Sequence, residues 1–483
     1  MRVRTRRHGV FVAAVAMAII SCASARNDAR PSDDETCVVP DGEVFFPEVP
    51  DVIPFLGPDT DEPFAFRHYN ESEVVAGKTM KEWLRFSVAF WHTIRNDGSD
   101  PFGAPTKRWP WDAQCDDPMR VAKRRMRALF ELMRKLGVDL WCFHDRDIAP
   151  VGATLQETNA NLDEIAEYAL SLQRGTSIRP LWGTAQLFSE PHYMLGASTS
   201  PRVDVFVRAG AQVKKAMDVT HKLGGEAFNF WGGREGYAHL ATTDLAAERA
   251  RHAAFLRAAR AYWVSIGGTG PLLIEPKPQE PSKHQYDWDV ATTAGFLREF
   301  SLEDSFRLNV ECNHATLAGH SCAHEVASAV ATGALGGIDA NTGDPQVGWD
   351  TDQFMTDHRE AAQVLLPLVR AGGAGLAPGG VNFDAKLRRE STDVNDLVHA
   401  HVGGMDAFAR GLKIAAELAR PDGALERLRL EKYAEWSSSF GRRVEAGEVS
   451  FEEMEKIALG SNRDPVVASG QQEFADNIIA RAS

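Results

Sequence analysis

Residues 126–147 read MRALFELMRKLGVDLWCFHDRD, and this stretch decides the fold. Met126, Leu129, Phe130, Met133 and Leu136 recur at the i, i+3, i+4 spacing of one helix face. Gly137 follows as the residue type that ends helices in a left-handed turn. Val138 to Phe143 is then a short apolar run that finishes in His144 and Asp145. The same unit of amphipathic helix, glycine and apolar run with a polar end stands before Ala227-Phe228-Asn229-Phe230, Leu272-Leu273-Ile274-Glu275 and Val381-Asn382-Phe383-Asp384. Candidate strands fall at 86–91, 138–143, 178–182, 227–231, 272–275, 308–311, 336–339 and 381–384, eight in all. Strands that alternate with helices pair in parallel through crossovers, and eight such units close on themselves. The expected architecture is therefore α/β, a TIM (β/α)8 barrel with a C-terminal helical tail. An open doubly wound sheet is the competing arrangement, but no Gly-rich phosphate-binding turn follows the first strand.

The flanks read differently. Arg2, Arg4, Arg6 and Arg7 precede an apolar stretch at 9–20 and the small residues Ala23-Ser24-Ala25, the layout of a cleavable secretory signal over 1–25. Ile19-Ile20-Ser21-Cys22 loosely matches a lipoprotein cleavage site, and Arg6-Arg7 a twin-arginine signal. The expected compartment is the secretory pathway or the exterior, with a periplasmic or lipid-anchored alternative for a bacterium. Residues 26–78 carry Pro31, Pro40, Pro47, Pro50, Pro54, Pro58 and Pro63 with an acidic Asp33-Asp34-Glu35, and read as an extended arm. The barrel is assigned to 79–398 and the tail to 399–483. In that tail Met405, Phe408, Leu412 and Ala415 form one stripe, and Ser450 with Glu453 signs the start of a last helix. A tail with stripes this modest packs on the barrel or on a neighbouring subunit.

The 483 residues include 53 Lys plus Arg against 67 Asp plus Glu, for a net charge of −14, and losing the leader's four arginines takes it to −18. An acidic chain lacks the basic face of a duplex binder, so nucleic acid is excluded as a partner. Beyond the leader no apolar run approaches the roughly 18 residues a membrane span needs. Of six cysteines, Cys22 leaves with the leader or is lipidated. The remaining Cys37, Cys115, Cys142, Cys312 and Cys322 are odd in number and irregularly spaced, which implies neither a zinc site nor a dense disulfide framework. Cys142 and Cys312 read as small core residues. Cys37 stays open to a disulfide in an exported chain.

Chemistry on such a barrel sits at the C-terminal strand ends. Candidate strands five to eight end in Glu275, Glu311, Asp339 and Asp384. Neighbouring strands lie about 4.8 Å apart, so these acids converge in one pocket. Carboxylates packed that densely repel, and a hard divalent cation relieves the repulsion. His314 follows Glu311 by three residues, and Asp350 and Asp352 stand two apart after strand seven, so Glu311, His314, Asp350 and Asp352 can hold a second ion. Imidazole in that set favours Mn2+ or Co2+ over Mg2+. His144 with Asp147 three residues on has the form of an imidazole whose tautomer a carboxylate fixes for proton transfer; a structural histidine fits the pattern equally. Trp91 and Trp182, read as the ends of strands one and three, offer flat apolar walls or plain core. The Gly/Pro-rich stretch at 98–105 carries one aromatic, Phe102, on a loop of the kind that often binds.

The motifs FRHYN (66–70), WCFHDRDIAP (141–150), LWGTA (181–185), WGGREGY (231–237), IEPKPQEPSKHQYD (274–287), ECNHATLAGH (311–320), GWDTDQF (348–354) and NFDAK (382–386) span nearly all of 64–415. Together they resemble xylose isomerase, in its larger plant-type form with an N-terminal extension. The resemblance implies an aldose–ketose isomerase that converts D-xylose to D-xylulose and accepts D-glucose. It implies two divalent cations per subunit (Mg2+, Mn2+ or Co2+), one on Glu275, Glu311, Asp339 and Asp384, the other on Glu311, His314, Asp350 and Asp352. His144 and Asp147 match the family's ring-opening pair, Lys277 the lysine that hydrogen-bonds O1, Trp91 and Trp182 pocket walls, and Phe102 the aromatic that enters a neighbouring subunit's site. A homotetramer or homodimer embraced by the C-terminal tail is implied as well. Asn229 stands where the family usually carries Val, and an amide there is placed to bond an extra hydroxyl of a six-carbon sugar. Two other classes use parts of the same pattern: a two-metal hydrolase, which the strongly acidic charge disfavours, and an idle sugar-binding protein, which would tolerate loss of a ligand.

Overall fold

The computed structural model describes residues 42–112, 116–373, 376, 379–461 and 463–482. The leader, Cys37 and Cys115 lie outside the described residues. Eight parallel strands close a barrel: β1 (Phe86–Ala89), β2 (Leu140–His144), β3 (Arg179–Thr184), β4 (Ala227–Trp231), β5 (Leu272–Glu275), β6 (Phe306–Glu311), β7 (Leu335–Asp339) and β8 (Val381–Phe383). Each strand pairs with its neighbour in sequence, and Val381 opposite Phe86 joins β8 to β1.

A helix follows every strand: α1 (Pro118–Leu136), α2 (Leu155–Gln173), α3 (Val203–Lys222), α4 (Leu245–Ser265), α5 (Val290–Glu299), α6 (Cys322–Ala331), α7 (His358–Arg370) and α8 (Asn395–Leu418). Local chemistry sets their bounds. Asp117 caps α1 through the amides of Met119 and Arg120, and Pro118 enters at its first turn. Gly137, at φ 69°, closes the helix in the left-handed conformation a side chain resists. The core has two layers. Leu140, Cys142, Leu181, Trp182, Ala227 and Leu273 fill the barrel, while a larger shell packs between strands and helices. Gly411 lets α8 lie against α7, since a Cβ there would stand 2.8 Å from the Ala361 Cβ.

Several expectations are corrected. The first strand stops at Ala89, and Trp91 sits on a helical turn, Phe90–Ile94. The third runs on to Thr184, so Trp182 is inside the strand rather than at its end. Cys312 is paired with Cys322 in a disulfide, because the turn Cys312–Leu317 returns the chain to the start of α6. Cys142 is a free, buried thiol. Position 398 falls inside α8, a helix that belongs to the barrel shell by its packing on α7.

The tail beyond it forms α9 (Ala424–Lys432), α10 (Ser439–Glu445), α11 (Phe451–Ser461) and α12 (Gln472–Ala482). The Ser450 cap therefore opens the penultimate helix, not the last. The arm from residue 42 is tied down at two places. The amides of Phe45 and Phe46 donate to Glu131 on α1 at 2.8 and 3.0 Å. Those of Arg67, His68 and Tyr69 donate to Asp406 on α8. Among the described residues no helix is long and apolar enough to cross a membrane.

Candidate active site and metal centre

The C-terminal strand ends bring Glu275, Glu311, Asp339 and Asp384 together, with one oxygen of each within 4.8 Å of the others. All four are buried. Burial, with the charge of neighbouring carboxylates added, raises Glu311 and Asp339 well above the ordinary carboxyl range. Burial raises Glu275 too, against the pull of His314. Amide groups hold these acids in place. Asn309 and Asn382 donate to the two oxygens of Asp339 at 2.6 and 2.8 Å, Asn229 to Glu275 at 2.7 Å and Asn341 to Glu311 at 2.8 Å.

Glu311, Asp350 and Asp352 converge a second time, as do Glu275, Glu311 and His314. The His314 Nδ1 lies 3.0 Å from the Pro276 carbonyl and so carries the proton. Its Nε2 faces Glu311 at 3.0 Å and Asp350 at 3.2 Å. An imidazole lone pair aimed at two carboxylates is stable only with a proton or a cation between them. Despite burial, Lys386 and His92 draw Asp352 well below its usual range, and Lys277 with His314 lowers Asp350. Lys277 reaches Asp350 at 2.7 Å and Lys386 reaches Asp352 at 2.9 Å. His92 sits 3.0 Å from Asp352 and 3.1 Å from Asp384; burial opposes its charge, but the two acids hold it at about 9. Six carboxylates thus outnumber the two lysines and two histidines set against them. The donor set fits a pair of hard divalent cations, which take oxygen ligands and neutralise such an excess.

These groups open onto a cavity of about 210 Å3 walled by Trp91, Trp182, Phe188 and Trp231. A groove of about 900 Å3 at the opposite, N-terminal rim of the barrel lies between the arm and α1 and holds no comparable cluster among the described residues. His144, the last residue of β2, bonds Asp147 across a helical turn with Nδ1 to Oδ2 at 2.7 Å. Burial would lower the His144 pKa, but the Asp147 charge raises it. The Trp91 ring packs edge-on to His144 at 4.5 Å, and the Trp91 indole donates to Asp384 at 2.9 Å. Lys277 lies 5.1 Å over the Trp231 ring. Its backbone amide donates to the Asp287 carbonyl, and the Asp287 carboxylate faces His252, itself 2.7 Å from Ser198 Oγ. Phe102 does not line this cavity. It is 83% exposed, with the Trp349 ring 5.9 Å away.

Every other candidate site residue lines this cavity or joins one that does, Asp147 through His144 and Asp339 through the carboxylate cluster. His92, Thr184, Phe188, Trp231, Asn309, Asn341, Asn382 and Lys386 were missed. For Asn309 and Asn382 a signal existed: each lies two residues before a strand-end acid, on the same strand face as that acid.

A closed parallel barrel with a buried carboxylate cluster and a carboxylate-backed histidine on its C-terminal rim defines a TIM-barrel enzyme. Residues 429–483 match the XylA2 C-terminal domain. The chain is 57% identical over 438 residues to the xylose isomerase of Arabidopsis thaliana, covering 91% of each. It is also 57% identical over 438 residues to that of Hordeum vulgare, covering 91% of this chain and 90% of the relative. Against that of Rhodopirellula baltica it is 51% identical over 434 residues, covering 90% of this chain and 98% of the relative. The chain belongs to the xylose isomerase family and is an isomerase.

Proposed function

We propose that the protein is a divalent-metal-dependent aldose–ketose isomerase that opens the ring of D-xylose and yields D-xylulose by a 1,2-hydride shift, with D-glucose to D-fructose as a second reaction. The observation that carries this reading is the convergence of buried carboxylate oxygens from four consecutive strands within 4.8 Å. Glu275, Glu311, Asp339 and Asp384 would hold one cation, and Glu311, His314, Asp350 and Asp352 the other, as Mg2+, Mn2+ or Co2+. The chemistry such a pair supplies when bound is Lewis-acid polarisation of two adjacent sugar oxygens.

The chain's own residues do the rest. Asp147 fixes the proton of His144 on Nδ1, which leaves Nε2 to exchange a proton with the ring oxygens during opening. Lys277, held cationic by Asp350 and Glu311 against its burial, donates to O1. Trp91, Trp182, Phe188 and Trp231 exclude water from the reacting carbons. Asn229 commits its nitrogen to Glu275, so its oxygen, buried without a partner, is the acceptor offered to an extra hydroxyl. Phe102 projects from a chain that assembles as a homotetramer or homodimer and closes a neighbour's pocket. The leader directs the chain into the secretory pathway or its bacterial equivalent.

A coupled assay with xylose and Mn2+ tests the reading. Chelator abolishes turnover and Mn2+ restores it, and Glu275→Gln is inactive with its circular dichroism unchanged. Turnover that survives chelation, or full activity in Glu275→Gln, overturns it. Asn229→Val lowers the ratio of kcat/KM for glucose over xylose; an equal or higher ratio removes the role given to Asn229.

A further inference from the structure

A second group of metal-ligand side chains lies apart from the carboxylate rim. His320 follows the turn that leaves β6, His324 and Glu325 stand in the first turn of α6, and Asp289 caps α5. One ligand atom from each of His320, His324 and Glu325 falls within 4.8 Å of the others. The His320 Nε2 is 3.4 Å from Asp289 Oδ2 and 4.0 Å from Glu325 Oε1, and the His324 Nε2 is 3.9 Å from that same oxygen. A tetrahedral site with bonds of 2.0–2.1 Å has ligand-to-ligand edges of about 3.3 Å, so both imidazoles move inward on Glu325 by about 0.6–0.7 Å to hold an ion, with the fourth position left to water.

The remaining bonds orient the group toward a common centre. Asp289 spends Oδ1 on the Thr292 amide at 2.7 Å and turns Oδ2 to His320. Glu325, only 4% exposed, spends Oε2 on the Val290 amide at 2.7 Å. Its Oε1 faces the two imidazole nitrogens at 4.0 and 3.9 Å, beyond hydrogen-bond reach. Burial, with Asp289 beside it, holds the Glu325 carboxyl above its usual range. The imidazole side chains are 33% and 58% exposed, which gives an ion a path in from solvent.

We infer that His320, His324 and Glu325 form a third cation site, built for a transition metal such as Zn2+, with Asp289 beside it positioning the His320 ring. Two neutral imidazoles select against Mg2+, and the Glu325 carboxylate, with Asp289 close by, offsets the charge of a dication. The site joins His320, after the β6 turn, to the start of α6, with the start of α5 tied in by the Val290–Glu325 and Asp289–His320 bonds, and fixes the far end of the segment that begins with Glu311 and His314. The Cys312–Cys322 disulfide closes the same segment covalently. Glu325 shares a cavity of only about 10 Å3 with Glu311 and His314, so the outer cluster bears on the active rim through packed atoms. Its role is to hold the metal-ligand turn in register.

The test uses the full-length protein dialysed against Zn2+ in excess Mg2+, beside His320→Ala and His324→Ala. Zinc taken up by the catalytic carboxylates is common to all three proteins and cancels in the comparison. The unsubstituted chain retains one zinc equivalent more than either variant. Zinc also raises its Tm by a margin that both variants lose, while their circular dichroism without zinc is unchanged. Equal zinc content in the three proteins overturns the site. A retained extra equivalent without any difference in zinc-induced Tm overturns the stapling role.

Discussion

Asp339 is the most completely enclosed acid of the rim, and it takes an amide nitrogen on each oxygen, from Asn309 and from Asn382. A carboxylate only accepts, so both amides must present their nitrogens, and their orientation is fixed with it. Asn309→Leu keeps the volume and removes the 2.6 Å bond. Groups that orient metal ligands are worth about 10–100-fold in metal affinity when lost. We expect a weakening of that order for Mn2+, read by calorimetric titration, with the fold intact by circular dichroism. Unchanged affinity would show that Asn382 positions Asp339 alone. The acids themselves were legible in the sequence because each ends an apolar run, a position with one structural meaning on a parallel barrel. Their asparagine partners were less so: Asn309 and Asn382 share a strand face with their acids, but a lone amide inside an apolar run reads equally as a bulge, an edge or a pocket wall. His92 was missed for a related reason: the turn Phe90–Ile94 that aims it at Asp352 and Asp384 continues the apolar run of β1 without a break in pattern. The Cys312–Cys322 pair depends on a single helical turn folding back, which spacing alone does not announce.

Among the elements, α8 shows how a barrel helix is locked to its strand. His401 is fully buried on α8 against Phe383 of β8 and against Phe354, with ring centroids 5.7 and 4.9 Å away. Its Nδ1 donates to the Leu397 carbonyl at 2.7 Å, and its Nε2 has no partner. Burial without a countercharge lowers its pKa to about 4, against 6.5 for a free imidazole. The folded chain therefore keeps His401 neutral where the unfolded chain binds a proton. Stability from this group is complete above pH 6.5 and is lost as the pH falls toward 4. The depression corresponds to roughly 3 kcal/mol across that window. His401→Leu removes this part of the acid sensitivity, so urea unfolding at a series of pH values gives a shallower slope than the unsubstituted chain below pH 6.5. Parallel slopes would mean that the folded protein already admits a proton at His401. The helix itself was legible from its stripe of Met405, Phe408, Leu412 and Ala415. Its start was not, because nothing in the sequence at 395 separates a barrel helix from a tail.

For the whole molecule, the tail is where the described chain buries least, since neither α11 nor α12 has a buried residue. α11 buries none of its residues, whereas α9 packs Leu425 and α12 packs Ile478, Ile479 and Ala482 on the barrel shell at Ile414 and Leu418. Trp436, Phe451 and Leu459 stand 50%, 85% and 72% exposed on this segment, and Phe102 projects from the catalytic face. Apolar side chains gathered on one polar-rimmed segment mark a contact surface, because leaving them in water forfeits about 25 cal/mol for each Å2 of apolar area. The expected occupant is a second copy of the chain, with the tail laid across its neighbour. Light scattering on the purified protein then reports a dimer or tetramer. Trp436→Glu combined with Leu459→Glu places two charges on that surface without touching the barrel, and shifts the mass toward the monomer while the helical signal in circular dichroism is kept. A monomeric parent, or an assembly indifferent to both substitutions, would remove the tail from the interface and leave Phe102 without a pocket to enter.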